Sequence, residues 1–166
     1  MSTAEKSQAE RDGELAANAP LPVGPADGIW SNSALDWITY GLYWGVHVAA
    51  LGVFFTGVTP TAIALFFGTF WLRMFGITGG YHRYFSHRTF KTHRFVQFLF
   101  ALFGTSAAQR GPLWWAGHHR EHHRHSDDEP DPHSPSWRGV LWSHTAWFLT
   151  QKGQAVNWKA IPDWQE

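Results

Sequence analysis

Five histidines crowd the run GHHREHHRHSD, Gly117 to Asp127, and HRYFSH sets His82 and His87 five residues apart, in a chain with 11 histidines and no cysteine. Clustered imidazoles are metal-binding groups. Without thiolates, any metal rests on His, Asp or Glu, and imidazole suits iron, zinc, copper or nickel without selecting among them. On an ideal α-helix the five-residue spacing of His82 and His87 turns roughly 140°, so on a straight helix these two diverge; they would serve two ions or straddle a helix end. His119, His122 and His123 stand at i, i+3 and i+4, which places three imidazoles on one helix face. His118 and His125 lie off that face and suit support or solvent contact. His47 and His93 read as ordinary hydrogen-bonded or solvated residues.

Composition narrows the field. At 166 residues the chain suits one domain at most. The absence of cysteine excludes disulfides, zinc ribbons, iron–sulfur ligation and thiol catalysis. With 13 basic and 13 acidic residues, no positive excess points to nucleic acid. Residues 1–32 are polar, without hydrophobic periodicity or an apolar signal core, and are expected to be a disordered tail.

The elements that must position the histidines are apolar helices. WITYGLYWGVHVAALGVFFTGV, Trp37 to Val58, is 22 residues with one ionisable group, His47, long enough to cross ~30 Å of hydrocarbon. After TPT, where Pro60 breaks the helix, a second apolar stretch runs from Ala62 to Tyr81, interrupted by Arg73. Together they predict a transmembrane hairpin. Arg83, Arg88, Lys91 and Arg94 follow the second span, so the positive-inside rule places the histidine boxes and the N-terminus on the cytoplasmic side. Arg73 must face protein, face a polar cavity or snorkel to the interface.

Phe95–Ala108 is 14 residues, short for a crossing and suited to a buried or interfacial helix. LWWAGHHREHHRHS predicts a helix, DDEPDPHSPS a loop by its prolines, and WRGVLWSHTAWFLTQ an amphipathic helix in a membrane interface. Residues 151–166 form a polar segment with no evident signal. The expected class is an all-α integral membrane protein: a transmembrane hairpin with cytoplasmic histidine-bearing and amphipathic helices.

The run GGYHRYFSHRTFKTHRFVQFLFALFGTSAAQRGPLWWAGHHREHHRHSDDEPDPHSP resembles the core of the membrane-bound acyl-CoA (stearoyl-type, delta-9) fatty acid desaturases of bacterial type. The likeness extends over Trp37 to Trp147, with a desaturase domain expected over residues 33–150. It rests on the HxxxxH box, the HxxHH box, their separation, the PLWWA lead-in and DPHSP. It implies a four-helix transmembrane bundle with a cytoplasmic cap, and three histidine boxes holding two irons. His82 and His87 would belong to the first box and His119, His122 and His123 to the second. Gln109 and Trp115 would line a narrow acyl tunnel near the metals. Arg83, Arg88, Arg120 and Arg124 are matched equally by coenzyme A phosphates and by lipid head groups, and are left outside the expected site.

The implied reaction takes a saturated acyl thioester, dioxygen, two electrons and two protons to a cis-monounsaturated chain and two waters. Its electrons would come from a separate carrier of ferredoxin or cytochrome type. A third box, HxxHH, and a second hairpin belong to the pattern, but beyond the loop only His144 stands before Glu166. The expectation is therefore an N-terminal half with an incomplete di-iron centre. Two rival classes share features with this one. Membrane hydroxylases and alkane monooxygenases use similar boxes, and a metal transporter would use His-rich loops, but its path would need more ionisable groups within the spans than His47 and Arg73. A zinc hydrolase lacks its HExxH frame in HREHH. As purified, the 166-residue chain is expected to give no desaturation of palmitoyl or stearoyl thioesters; measurable product would contradict the half-protein reading.

Overall fold

Two apolar helices build the first part of the fold, and one of them runs on into the candidate site. The computed structural model describes residues 34–129 and 131–165, so the expected tail over 1–32 lies outside the described residues. Helix α1 spans Ala34–Ala50, and a helical turn, Val53–Thr56, prolongs it into a 20-residue apolar segment, Trp37–Thr56. Gly57, at φ +69°, ends it in a conformation open chiefly to glycine. Thr59 then starts α2, Pro60–Phe75: its Oγ1 accepts the Ala62 N–H at 3.1 Å, and Pro60 sits where no intrahelical N–H is needed.

Helix α2 continues without a break into a π-helical segment, Gly76–Ser86, making one apolar rod of 27 residues, Pro60–Ser86. At 1.5 Å per residue that rod is about 40 Å long, against ~30 Å of hydrocarbon. Its last turns, with the first histidine box, therefore stand outside a bilayer that the rest would cross. Large apolar side chains cover both rods, among them Phe54, Phe55, Leu65, Phe66 and Trp71, and are exposed; lipid or neighbouring helices are the surroundings such a surface fits. No strand occurs among the described residues, as the all-α expectation requires.

Helix α3, Arg94–Ser106, is the short apolar run and packs on the π segment. Backbones meet there: a Cβ on Gly76 would lie 2.6 Å from the Gly104 nitrogen, and one on Gly104 would strike the Tyr81 ring. Tyr81 is fully buried, and its hydroxyl reaches Thr105 Oγ1 at 2.8 Å and donates to the Arg110 carbonyl at 2.7 Å. Helix α4, Pro112–Arg124, starts on Pro112 and lays Ala116 and Gly117 into the same core. Tyr84, Phe85, Phe100 and Ile161 complete it.

Beyond the loop the structure departs from the single amphipathic helix expected over WRGVLWSHTAWFLTQ. A short helix, Pro135–Arg138, stops at Gly139, whose φ of +79° no continuing helix allows, and the chain resumes as Val140–Leu149 with a π turn at Trp142–Ala146. Tyr40 of α1 donates to the Leu149 carbonyl there at 2.7 Å. The last polar residues, without signal in the sequence, are packed: Asn157, Ala160 and Ile161 are buried and Trp164 Nε1 donates to the Phe85 carbonyl at 2.9 Å. Overpacking the glycine contact should cost about 1–3 kcal/mol. Gly76→Ala and Gly104→Ala are each expected to lower the thermal midpoint of the detergent-solubilised chain, read by circular dichroism. Gly68→Ala, with nothing within 4 Å of its added Cβ, should not lower it.

Candidate metal centre

The π winding decides where the first box points. In a helix closed by i→i+5 hydrogen bonds the turn is wider than in an α-helix, and residues five apart come to stack. The His87 N–H donates to the His82 carbonyl at 3.0 Å, and the two rings lie 4.7 Å apart between centroids. The divergence expected for a straight α-helix is thereby corrected: His82 and His87 share a face and straddle the end of the π segment, where His87 is the capping residue.

Helix α4 brings the second box to the same point. The His119 ring is 4.6 Å from His82, and His123 is 4.5 Å from His119 and 5.0 Å from His87. Nε2 of His119 lies 3.2 Å from Nε2 of His87 and 3.1 Å from Nε2 of His123. His82, His87, His119 and His123 each place a ring nitrogen within 4.8 Å of the others. Nitrogens bound at about 2.1 Å to one ion would stand about 3.0–3.4 Å apart in cis-octahedral or tetrahedral arrangement, and the two Nε2 spacings fall in that range. The residues fit a shared cation.

Two of the rings, His119 and His87, are favoured in the neutral form that ligation requires. Burial, then the neighbouring His123, His82, His87 and His122, push the His119 pKa down to about 3. Burial, then His82, His123 and Arg120, lower that of His87. Over the cluster, Trp115 stacks on His119 at 4.4 Å between centroids, and its Nε1 donates to Gln109 Oε1 at 3.0 Å. Gln109 and Trp115 thus meet each other beside the imidazoles. Gln109 also lines a cleft of about 330 Å³ together with Phe66, Phe70, Met74 and Ile77. Arg73 lines the same cleft.

His122 does not join the four. On an α-helix three residues fall about 60° short of a turn and four overshoot by about 40°, so His122 and His123 flank opposite sides of the face that contains His119. The His122 ring lies 6.4 Å from that of His119, and its Nδ1 meets Asp131 Oδ1 at 3.0 Å in a second group, His122, Asp131 and His133. The sequence reading included Asp131 and His133 only as loop; their signal was the DPH within DPHSP. His118 lies off the cluster between Trp114 and Trp147, its Nε2 2.9 Å from the Ala155 carbonyl and its pKa pushed down to about 4, first by burial. His125 lies 3.5 Å from Glu121, and His47 Nδ1 lies 2.8 Å from the Tyr43 carbonyl.

Arg120 clamps the arrangement. It donates to the Ser86 carbonyl at 2.7 Å, beside His87, to the Ala160 carbonyl at 3.1 Å, and through two nitrogens to the Asp163 carboxylate. Arg88 stands 3.5 Å from the same carboxylate and 4.0 Å over the Trp164 ring. Hydrogen bonding from Arg120 holds the Asp163 carboxyl below its ordinary range. With Arg124 at 3.6 Å from Glu121, three of the four arginines considered for phosphate contact have intrachain partners.

Two apolar rods long enough to cross a bilayer, one of them leading into converging imidazoles, mark a membrane-type protein with a polyhistidine cluster that could hold a metal ion. The chain belongs to the fatty acid desaturase family, whose pattern matches residues 56–166. It is 37% identical over 117 residues to the sn-1 stearoyl-lipid 9-desaturase of Anabaena variabilis, covering 69% of this chain and 43% of that protein. With the sn-2 palmitoyl-lipid 9-desaturase of a Nostoc strain it shares 38% over 137 residues, 78% of this chain and 47% of the relative. With acyl-CoA desaturase 1 of Saccharomyces cerevisiae it shares 29% over 147 residues, 84% of this chain and 29% of the relative. The chain therefore spans less than half the length of each. No solved structure matches it.

Two outcomes follow from this geometry. Because the folded His119 pKa, about 3, lies below the ordinary 6.5, the unfolded chain binds more protons between these values. Stability is then fully present above about pH 6.5 and falls as the solution is acidified. The metal-free chain should melt at lower temperature at pH 5 than at pH 7.5, and His119→Gln should flatten that dependence. Asp163→Ala, which strips the clamp of its carboxylate, should make residues 155–165 cleave faster in limited proteolysis.

Proposed function

We propose that this chain is part of a membrane oxidoreductase that introduces a cis double bond into a fatty acyl chain, with dioxygen as oxidant and two electrons from a separate ferredoxin- or cytochrome-type donor. The observation that carries the reading is the meeting of His82, His87, His119 and His123 beside the Gln109–Trp115 pair, whose Gln109 also lines an apolar cleft. Two irons, when bound, would supply the oxidising power that no side chain has for unactivated methylenes. His82, His87, His119 and His123 would hold one of them, and His122, facing away, would serve the other.

The remaining work falls to the cleft. Phe66, Phe70, Met74 and Ile77 offer an acyl chain a surface on which each buried methylene contributes about 0.8 kcal/mol. Such a surface grips length and shape without any polar handle. Beside Gln109, Trp115 is fixed by its bond to that residue and by stacking on His119. That pair would determine which carbons lie against the imidazoles, and its bulk would keep water from them. Arg83, Arg88, Lys91 and Arg94 follow the long rod, and their charge supports a cytoplasmic position for the centre.

Acyl-coenzyme A is the carrier implied by the histidine-box resemblance. The lipid-acting relatives and the intrachain pairing of Arg88, Arg120 and Arg124 favour an acyl lipid as the second reading. Complementation tests both. The chain, co-expressed with the C-terminal half of the Anabaena relative and the host's electron donors, should yield acyl chains lighter by two hydrogens, lost with His119→Ala. Chains heavier by one oxygen would mark a hydroxylase instead and overturn the proposal. Label appearing first in the coenzyme A pool or first in membrane lipid tells the carrier.

A further inference from the structure

His122 is the one second-box histidine outside the four-imidazole cluster, and its surroundings explain how it is held. Its Nδ1 lies 3.0 Å from Asp131 Oδ1. Asp131 is 2% exposed, and its oxygens are already engaged: Oδ1 also accepts the His133 N–H at 2.9 Å and Oδ2 the Asp127 N–H at 3.1 Å. The bond to His133, two residues on, makes an Asx turn that fixes the loop after α4. A carboxylate so occupied is an anchor rather than an open metal ligand. An ionised carboxylate only accepts hydrogen bonds, so the proton of a neutral His122 must reside on Nδ1. The lone pair is then on Nε2, across the ring from the loop.

We propose that Asp131 is a positioning residue for His122. Its carboxylate selects the Nδ1–H tautomer and the ring orientation, so that Nε2 is presented as a ligand for a cation beside the one held by His82, His87, His119 and His123. Carboxylate–histidine pairs of this kind set tautomer and basicity at metal sites. His133, whose Nδ1 lies 3.4 Å from the same Oδ1 and whose ring is 4.9 Å from that of His122, walls the pair off on the loop side. The inference rests on the metal-centre reading, but its test needs no metal and so stands or falls separately.

The test is a long-range ¹H–¹⁵N correlation spectrum of the whole chain, ¹⁵N-labelled at histidine, metal-free in detergent at about pH 8, with His122 assigned by its loss in His122→Gln. Wild type should show His122 protonated at Nδ1 and bare at Nε2. In Asp131→Ala the population should shift toward the Nε2–H form. Asp131→Ser gives a second, milder variant: its hydroxyl keeps a turn bond to the His133 N–H but falls short of His122, and the same shift is expected. An Nε2–H tautomer in wild type would overturn the proposal whatever the variants do. So would an unchanged His122 signal in either variant whose circular dichroism matches wild type.

Discussion

The structure turns on one backbone hydrogen bond class, the i→i+5 bond that closes the π segment Gly76–Ser86 and ends with His87 N–H on the His82 carbonyl. A π segment is costly compared with the α-helix that precedes it and occurs mostly at functional sites. Here the compensation is visible in the packing. The wide turn lets Gly76 and Gly80 take the backbone and the Phe100 side chain of α3 at contact distance, and it buries Tyr81 with both hydroxyl partners satisfied. The same widening brings His82 and His87 together, their ring centroids 4.7 Å apart. One local deviation thus supplies both a close backbone contact in the core and the geometry of the first box.

The second constraint is a single guanidinium. Arg120 stands one residue after His119 on α4 and spends its donors on the carbonyls of Phe85, Ser86 and Ala160 and on the Asp163 carboxylate. Arginine suits this because its fork is planar and always charged. The effect is to lock the end of the long rod, the helix with the second box and the segment near residue 160 into one unit. Pairs exposed at a surface contribute little each; this one also supplies a donor to the Ser86 carbonyl at the π-helix end.

Much of this was legible in the residues. Long apolar runs announced the rods, and the spacing of His119 and His123 their shared face, whereas Pro60, read as a helix breaker, proved to open α2. What was not legible has physical reasons. The π winding leaves no mark on a hydropathy pattern, so five-residue spacing was read on α geometry and gave divergence for His82 and His87. His122 was grouped with its neighbours because i+3 and i+4 both lie near His119, although they fall on opposite sides of it, and on its side His122 meets Asp131. The Gly139 break turned an amphipathic helix into two pieces. The packing of Asn157, Ile161 and Trp164 depends on contacts across more than 30 positions, to Gly117 and Phe85, which no local pattern encodes.

The claim on which the account rests is that His82, His87, His119 and His123 form one cation site from which His122 is separate. Cobalt(II) titration of the metal-free chain in detergent, followed by visible absorption, measures it most directly. The account predicts one tight ion per chain, weakened about tenfold or more by a His→Gln change at any of the four and retained in His122→Gln. Equal weakening by His122→Gln, or no tight binding in wild type, would contradict it.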